Sequence, residues 1–403
     1  MRLPRSAALY LQASIILFFL AGSSAPTPLY PLYQAAWGFS PVTVTIVFGI
    51  YALTVLATLL VAGSLSDYVG RRPVLMAATL MQAGSMAVFA TAGGLGELLV
   101  ARVVQGVATG MAAGAVGAGM LDIDKERGTV ANAVAPMLGT ATGGLLSGLL
   151  VQFLPLPTQL VYIVLGVIFL AQSIGVAAMQ ETVSRRPGAL SSLKPHVRLP
   201  PHARRAALVA VPALVAIWSL AGFYGSLGPA LVRRLLGSNA LFLGGLPISV
   251  LAAFAALSVF LVHSRPPRLV MAQGTAMLVA GVGTTLLATT SGSAGVFFLG
   301  AAIAGAGFGA AFQGAIRSVL LLAAPHERAG VLSMLYVVAY LALGLPAVLA
   351  GLRFAHGVGV IETAREYGAG VIVLAAMAFV GVLVSGSARR ERGTARLSVS
   401  RPA

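Results

Sequence analysis

Long apolar runs alternate with short polar segments along the whole chain. Twelve of the runs are long enough to cross a bilayer, which takes about 20 residues per helix. They lie near 8–31, 42–62, 73–92, 96–120, 129–152, 159–180, 207–228, 240–262, 269–289, 295–322, 329–352 and 367–387. Connections of a few residues make consecutive spans antiparallel neighbours. One connection is longer: 181–205 contains Pro187, Pro195, Pro200 and Pro201 among basic residues and histidines, and reads as a linker. The predicted class is an all-α membrane protein with twelve transmembrane helices in two six-helix bundles. Residues 1–180 form the first bundle, 181–206 the cytoplasmic linker, 207–388 the second bundle and 389–403 a basic cytoplasmic tail.

Composition agrees with a bilayer as solvent. The chain is 58% hydrophobic and 9% charged, against about 25% charged in soluble domains. A net charge of +16 would ordinarily raise nucleic acid as a partner, but its distribution excludes that. With the N-terminus inside, twenty of the basic residues fall on the inner side and four on the outer, Arg233, Arg234, Arg353 and Arg365. Arg102 and Arg317 fall within spans. Such a bias sets topology. It places both termini in the cytoplasm and demands an even number of spans. A signal-peptide cleavage after Ser23-Ser-Ala25 would leave an odd number. The absence of cysteine excludes thiol and disulfide chemistry. The Ala-, Gly- and Arg-rich composition suggests a bacterial inner membrane.

The polar exceptions inside the spans are the candidates for function. Three prolines, Pro26, Pro28 and Pro31, end the first span and free backbone carbonyls, which at membrane depth need burial or a water-lined cavity. Arg102, Gln105 and Thr109 share one face of the fourth span, and an intramembrane charge marks a coupling or substrate site. Gly106, Gly110 and Gly114 repeat at every fourth position, a spacing for close helix packing. Gly139, Gly143 and Gly144 do the same on the fifth span. Arg317 and Gln313 stand on the tenth span in the reverse order of Arg102 and Gln105, one sign of an internal repeat. Tyr51, Asn132, Trp218, Tyr224, Tyr336 and Tyr340 are the remaining polar or aromatic groups expected around a central cavity. All ten carboxylates fall at loops, termini or span ends, and all five histidines fall in loops. No metal-binding cluster, cofactor motif or nucleophile–base pair is present, so we expect neither an enzyme nor a cofactor.

The loop between the second and third spans, Gly63-Ser-Leu-Ser-Asp67-Tyr-Val-Gly70-Arg71-Arg72-Pro73, resembles the signature G-x-L-[SA]-D-x-x-G-R-R of the major facilitator superfamily. Leu98-x-x-x-Arg102-x-x-Gln105-Gly106 resembles that family's fourth-span motif. Gly22…Pro28-Leu-Tyr30-Pro31 is similar to a first-span motif of the twelve-span drug:proton antiporter branch. Gly139-Thr140-Ala-Thr142-Gly143-Gly144 is similar to its G-P-x-x-G-G motif, with threonine in place of proline. The resemblance implies the major facilitator fold and alternating access. It implies export of a small organic molecule, with protons as a coupling partner, by a monomer in the lipid bilayer. A metabolite facilitator or symporter and a non-transporting sensor or scaffold are the alternatives.

In the loop, Gly63, Asp67, Gly70, Arg71 and Arg72 are read as the gating residues, with Asp67 closing the cytoplasmic gate; it sits at the C-terminal end of the second span, where the helix dipole disfavours a carboxylate. It therefore needs an arginine or a neighbouring helix N-terminus, and Gly70 suits a positive φ. Reporter fusions at Arg186 and after Arg392 should be active only with cytoplasm-dependent reporters; a periplasmic signal at either site would overturn the topology.

Overall fold

The computed structural model describes residues 3–195, 197–324 and 326–399, with side chains described to Ser385. Arg2, His196, Arg401 and the side chains of the basic tail lie outside the described residues. Among the described residues there are twelve helices long and apolar enough to cross a membrane. They are α1 (Arg5–Trp37), α2 (Pro41–Ala62), α3 (Arg71–Thr91), α4 (Leu95–Ile123), α5 (Lys125–Phe153), α6 (Leu160–Ala178), α7 (Pro201–Ser226), α8 (Phe242–Val262), α9 (Pro267–Ser291), α10 (Ala294–Leu320), α11 (Arg328–Val358) and α12 (Val360–Ser385). The helix of α12 begins seven residues before the expected 367, because Thr363, Arg365 and Glu366 continue its turns beyond the apolar run.

The helices alternate in direction. One end of the molecule gathers Leu3 with Ala178, and the α2–α3 loop with Asp122 and Glu181; it is called here the near end. The far end holds the α1–α2, α3–α4 and α5–α6 turns. Two apolar cores fill the interior, one drawn from residues 8–179 and the other from residues 203–382. Leucine, valine, isoleucine and phenylalanine side chains such as Ile174, Leu208 and Val384 point outward, as a lipid-facing surface requires.

Glycine sets the distances within each half. A methyl group built at Gly106 would lie 2.7 Å from Thr54 Cβ, and one at Gly114 2.4 Å from the Gly63 carbonyl oxygen, so α4 lies directly on α2. The same seam recurs in the second half, where methyls at Gly305 and Gly309 would lie 2.3 and 2.2 Å from the Leu251 and Ala255 carbonyls of α8. On α5, methyls at Gly139 and Gly143 would reach the Leu17 and Ala21 carbonyls of α1 at 2.0 and 2.1 Å. Without a strong hydrophobic drive between helices in lipid, such backbone approaches supply the packing attraction.

The halves meet along two helix pairs, α5 with α8 and α2 with α11. Both pairs touch toward the far end. A methyl at Gly245 would sit 2.1 Å from the Gly144 carbonyl, and one at Gly351 2.3 Å from Thr45 Oγ1. Gln152 Oε1 accepts from the Leu241 amide at 2.7 Å, and Thr27 Oγ1 donates to the Gly225 carbonyl at 3.0 Å. The far end is therefore closed. The linker departs from its expected character as an unpacked segment. The Arg186 amide donates to the Tyr68 carbonyl at 2.9 Å, Ser64 Oγ donates to the Ser192 carbonyl at 3.1 Å, and the Arg198 amide donates to the Gly330 carbonyl at 3.3 Å. Its prolines stop it forming a helix but leave its amides and carbonyls free to bridge the end of α2 and the start of α11.

Gly245→Val should force α5 and α8 apart at the far end. We expect a loss of about 1–3 kcal/mol, the usual cost of overpacking, seen as a lowered melting temperature of the purified protein; an unchanged melting curve would refute the contact.

Candidate functional site

The near-end cluster is built around Arg71. Gly63 ends α2, and Ser66–Val69 forms a separate helical turn with Asp67 in its first turn. Gly63 and Leu65 keep right-handed helical φ/ψ, so Asp67 follows closely on the end of α2 and needs a partner beyond its own helix. Of the two expected partners the structure supplies the arginine. Asp67 Oδ1 accepts from the Arg71 guanidinium, and its side chain is half-exposed. Arg71 also donates Nε to Asp122 Oδ2 at 3.2 Å and Nη1 to Ser66 Oγ at 2.7 Å. Gly70 has φ +103°, the left-handed region open to glycine.

Glu181, at the start of the linker, completes this cluster. Its Oε1 accepts from the Arg71 amide at 2.8 Å and its Oε2 from the Arg72 amide at 3.0 Å. It caps α3, whose own first turn holds no acidic residue. Arg72 reciprocates by donating to the Ala177 carbonyl near the end of α6. Across the near end, His202 Nε2 lies 3.4 Å from Glu327 Oε2 beside the N-terminus of α11.

Arg102 occupies the interior of the first half. It is fully buried and donates Nη1 to the Ser23 carbonyl at 3.0 Å and to Gln105 Oε1 at 2.7 Å, and Nη2 to Tyr30 Oη at 2.6 Å. Its guanidinium lies over the Tyr51 and Phe89 rings, at 5.3 and 5.7 Å. Ser23 and Tyr30 flank the proline break of α1, so Arg102 fastens the two parts of that helix. Ser147 Oγ donates to the Ala25 carbonyl at 2.6 Å in the same break. The freed carbonyls are thus met by burial in protein, one of the two ways expected.

Arg317 is not placed with Arg102, which corrects the expectation that both face a central cavity. It lies in the last turn of α10 and donates to the His263 carbonyl at the end of α8, at 2.8 Å. Three residues from its helix end, it reaches the near end and closes an open helix terminus there. Asn132 donates to the Gly117 carbonyl at 2.9 Å and ties α5 to α4. Tyr224 is buried beside Phe297, ring centroids 5.9 Å apart, within the second half.

Where the halves meet, aromatic side chains collect. Trp218 of α7 has ring neighbours Tyr340 at 5.5 Å, Phe312 at 5.8 Å and Phe308 at 6.2 Å. Tyr336 follows Tyr340 at 6.3 Å, and Phe48 and Ala52 of α2 pack on the same group. Trp218 Nε1 and Gln313 Oε1 have no protein partner.

The profile of the Major Facilitator Superfamily matches residues 13–347. This chain belongs to that superfamily. It is a transporter rather than an enzyme. No match was found among curated proteins. Similar solved structures include the human organic anion transporter MFSD10 (TETRAN), 17% identical with TM-score 0.65, covering 94% of this chain and 100% of that one. The POT family transporter PepTSo is 11% identical with TM-score 0.71, covering 98% and 99%. A mutant of the nucleoside transporter NupG is 10% identical with TM-score 0.71, covering 94% and 100%. At these identities the likeness is one of fold.

In this superfamily member, sequence reasoning missed Glu181, the pairing of Tyr30 with Arg102 and the anchoring of the linker. One signal was available for Glu181: α3 begins Arg71-Arg72-Pro73 with no capping side chain of its own, so its amides had to find a carboxylate elsewhere. Glu181→Ala should cost about 0.5–2 kcal/mol, as for other lost caps; thermal unfolding of the purified variant checks this, and wild-type stability would remove Glu181 from the cluster.

Proposed function

We propose that this superfamily member exports a small, largely apolar organic compound carrying carbonyl, hydroxyl or carboxylate oxygens. It works from a bacterial cytoplasmic membrane, as a monomer with both termini inside. The observation that carries the reading is the aromatic group of Trp218, Phe308, Phe312 and Tyr340 at the meeting of the halves, with the unpaired Trp218 Nε1 and Gln313 Oε1 beside it. Aromatic faces offer apolar contact, and a few polar atoms fix orientation. The buried charged side chains among the described residues are Arg71 and Arg102, both cationic. A permanently cationic substrate would therefore find no buried counter-charge.

On this topology the near end is cytoplasmic and the closed far end makes this the inward-facing conformation. Asp67, half-exposed here, would dock at the N-terminus of α11 when the near end shuts, where that helix presents its positive pole. Proton antiport follows from the likeness to the drug:proton branch. The second reading is an uncoupled metabolite facilitator, favoured by the lack of a buried carboxylate among the described residues.

Proteoliposomes with an imposed pH gradient, tested against dyes and metabolites, separate these readings. We expect transport of neutral or anionic aromatic compounds, accelerated by the gradient, and little transport of quaternary ammonium dyes. Asp67→Asn should insert normally yet slow transport roughly tenfold, about 1.4 kcal/mol in the barrier, and Trp218→Ala should raise KM. Strong quaternary ammonium export, or wild-type rates in Asp67→Asn, would overturn the corresponding part.

A further inference from the structure

The charge on Arg102 is uncompensated by protein. A guanidinium remains protonated in any protein environment. The ion pairs among the described residues involve Arg71, Arg127, His202, Arg353 and Arg365, not Arg102. Glu97, the carboxylate closest to it along α4, lies in that helix's first turn beside Gly94. The Tyr51 and Phe89 faces offset only part of a full charge.

The hydrogen-bonding is incomplete at the same place. Arg102 Nε, Gln105 Nε2 and both polar atoms of the Gln82 amide lack partners, although all three side chains are wholly buried. The two amides converge. A methyl built at Gly22 of α1 would lie 3.2 Å from Gln82 Nε2 and 3.4 Å from Gln105 Nε2. Gly22 precedes Ser23, whose carbonyl holds Arg102. So α3 and α4 direct unpaired N–H donors at one stretch of α1 beside an unpaired cation. Buried polar groups are satisfied in native proteins, and buried charges are paired.

We propose that these unpaired groups between α1, α3 and α4 bind a small inorganic anion of chloride size, held by Arg102 Nε and the side-chain amides of Gln82 and Gln105. An anion meets both deficits at once, the missing charge and the missing acceptors. Water would meet only the second. The ion would fix Arg102, and through it the Ser23–Tyr30 break of α1. Arg102 also enters the electrostatic argument against a cationic substrate, but the anion site stands whichever compound is carried.

The test uses the purified full-length protein. Exchanging gluconate for chloride at constant ionic strength should raise the melting temperature in a saturable way. Crystals grown with bromide should show an anomalous peak beside Gly22. Gln82→Leu, which keeps the volume and removes the amide, should fold but lose most of the chloride dependence. A melting temperature indifferent to chloride, or density beside Gly22 without bromide signal, means an ordered water only and overturns the proposal. Full chloride dependence in Gln82→Leu would place the halide elsewhere and overturn it equally. The bromide measurement on the unmodified protein decides the matter if Gln82→Leu does not fold.

Discussion

Every backbone polar group at membrane depth must find its partner inside the protein, and the rest of this structure depends on how that demand is met. Most of the described spans meet it by helical continuity, four of them with a proline inside the helix, Pro136, Pro212, Pro247 and Pro346. The first span does not. Its prolines open the helix between Ser24 and Tyr30, and side chains from two other spans move in, Arg102 from α4 and Ser147 from α5, while the Thr27 hydroxyl within the break donates across the halves to the Gly225 carbonyl of α7. A local breach of the helix thereby becomes the place where one bundle is organised and where it is tied to the other.

The second organising element is the recurrence of one packing scheme. In each half, a glycine-bearing helix lies on the backbone of its neighbour, α4 on α2 and α10 on α8. Between halves, α5 meets α8 as α2 meets α11. Two parallel repeats related by an axis through the membrane produce that arrangement. It leaves most of the contacts between halves on two helix pairs, so one half can rock on the other while each keeps its own core.

Much of this was legible in the sequence because the signals are local. Span number follows from apolar run length, the turn at Gly70 from its neighbours, and the glycine seams on α4 and α5 from a four-residue spacing. The loop-2–3 signature led directly to the family. What was not legible depends on contacts between distant residues. Arg317 reads as a cavity charge until its guanidinium is seen to reach the His263 carbonyl at the near end. Glu181 reads as one more loop carboxylate, since nothing in its own surroundings indicates the α3 amides 110 residues away. The linker reads as slack because proline content predicts the absence of helix but not the presence of anchors.

Those anchors give the linker a length as well as a place. Ser192 is fastened to the end of α2 and Arg198 to the start of α11. Six residue steps at about 3.3–3.6 Å each can reach no further than about 20 Å. While both hydrogen bonds hold, the chain acts as a tether of fixed contour, and the two helix ends cannot separate beyond it. The widest aperture of the near end is then a property of the peptide between the halves, and a cargo too bulky for that aperture could pass only if one of the two fastenings came undone.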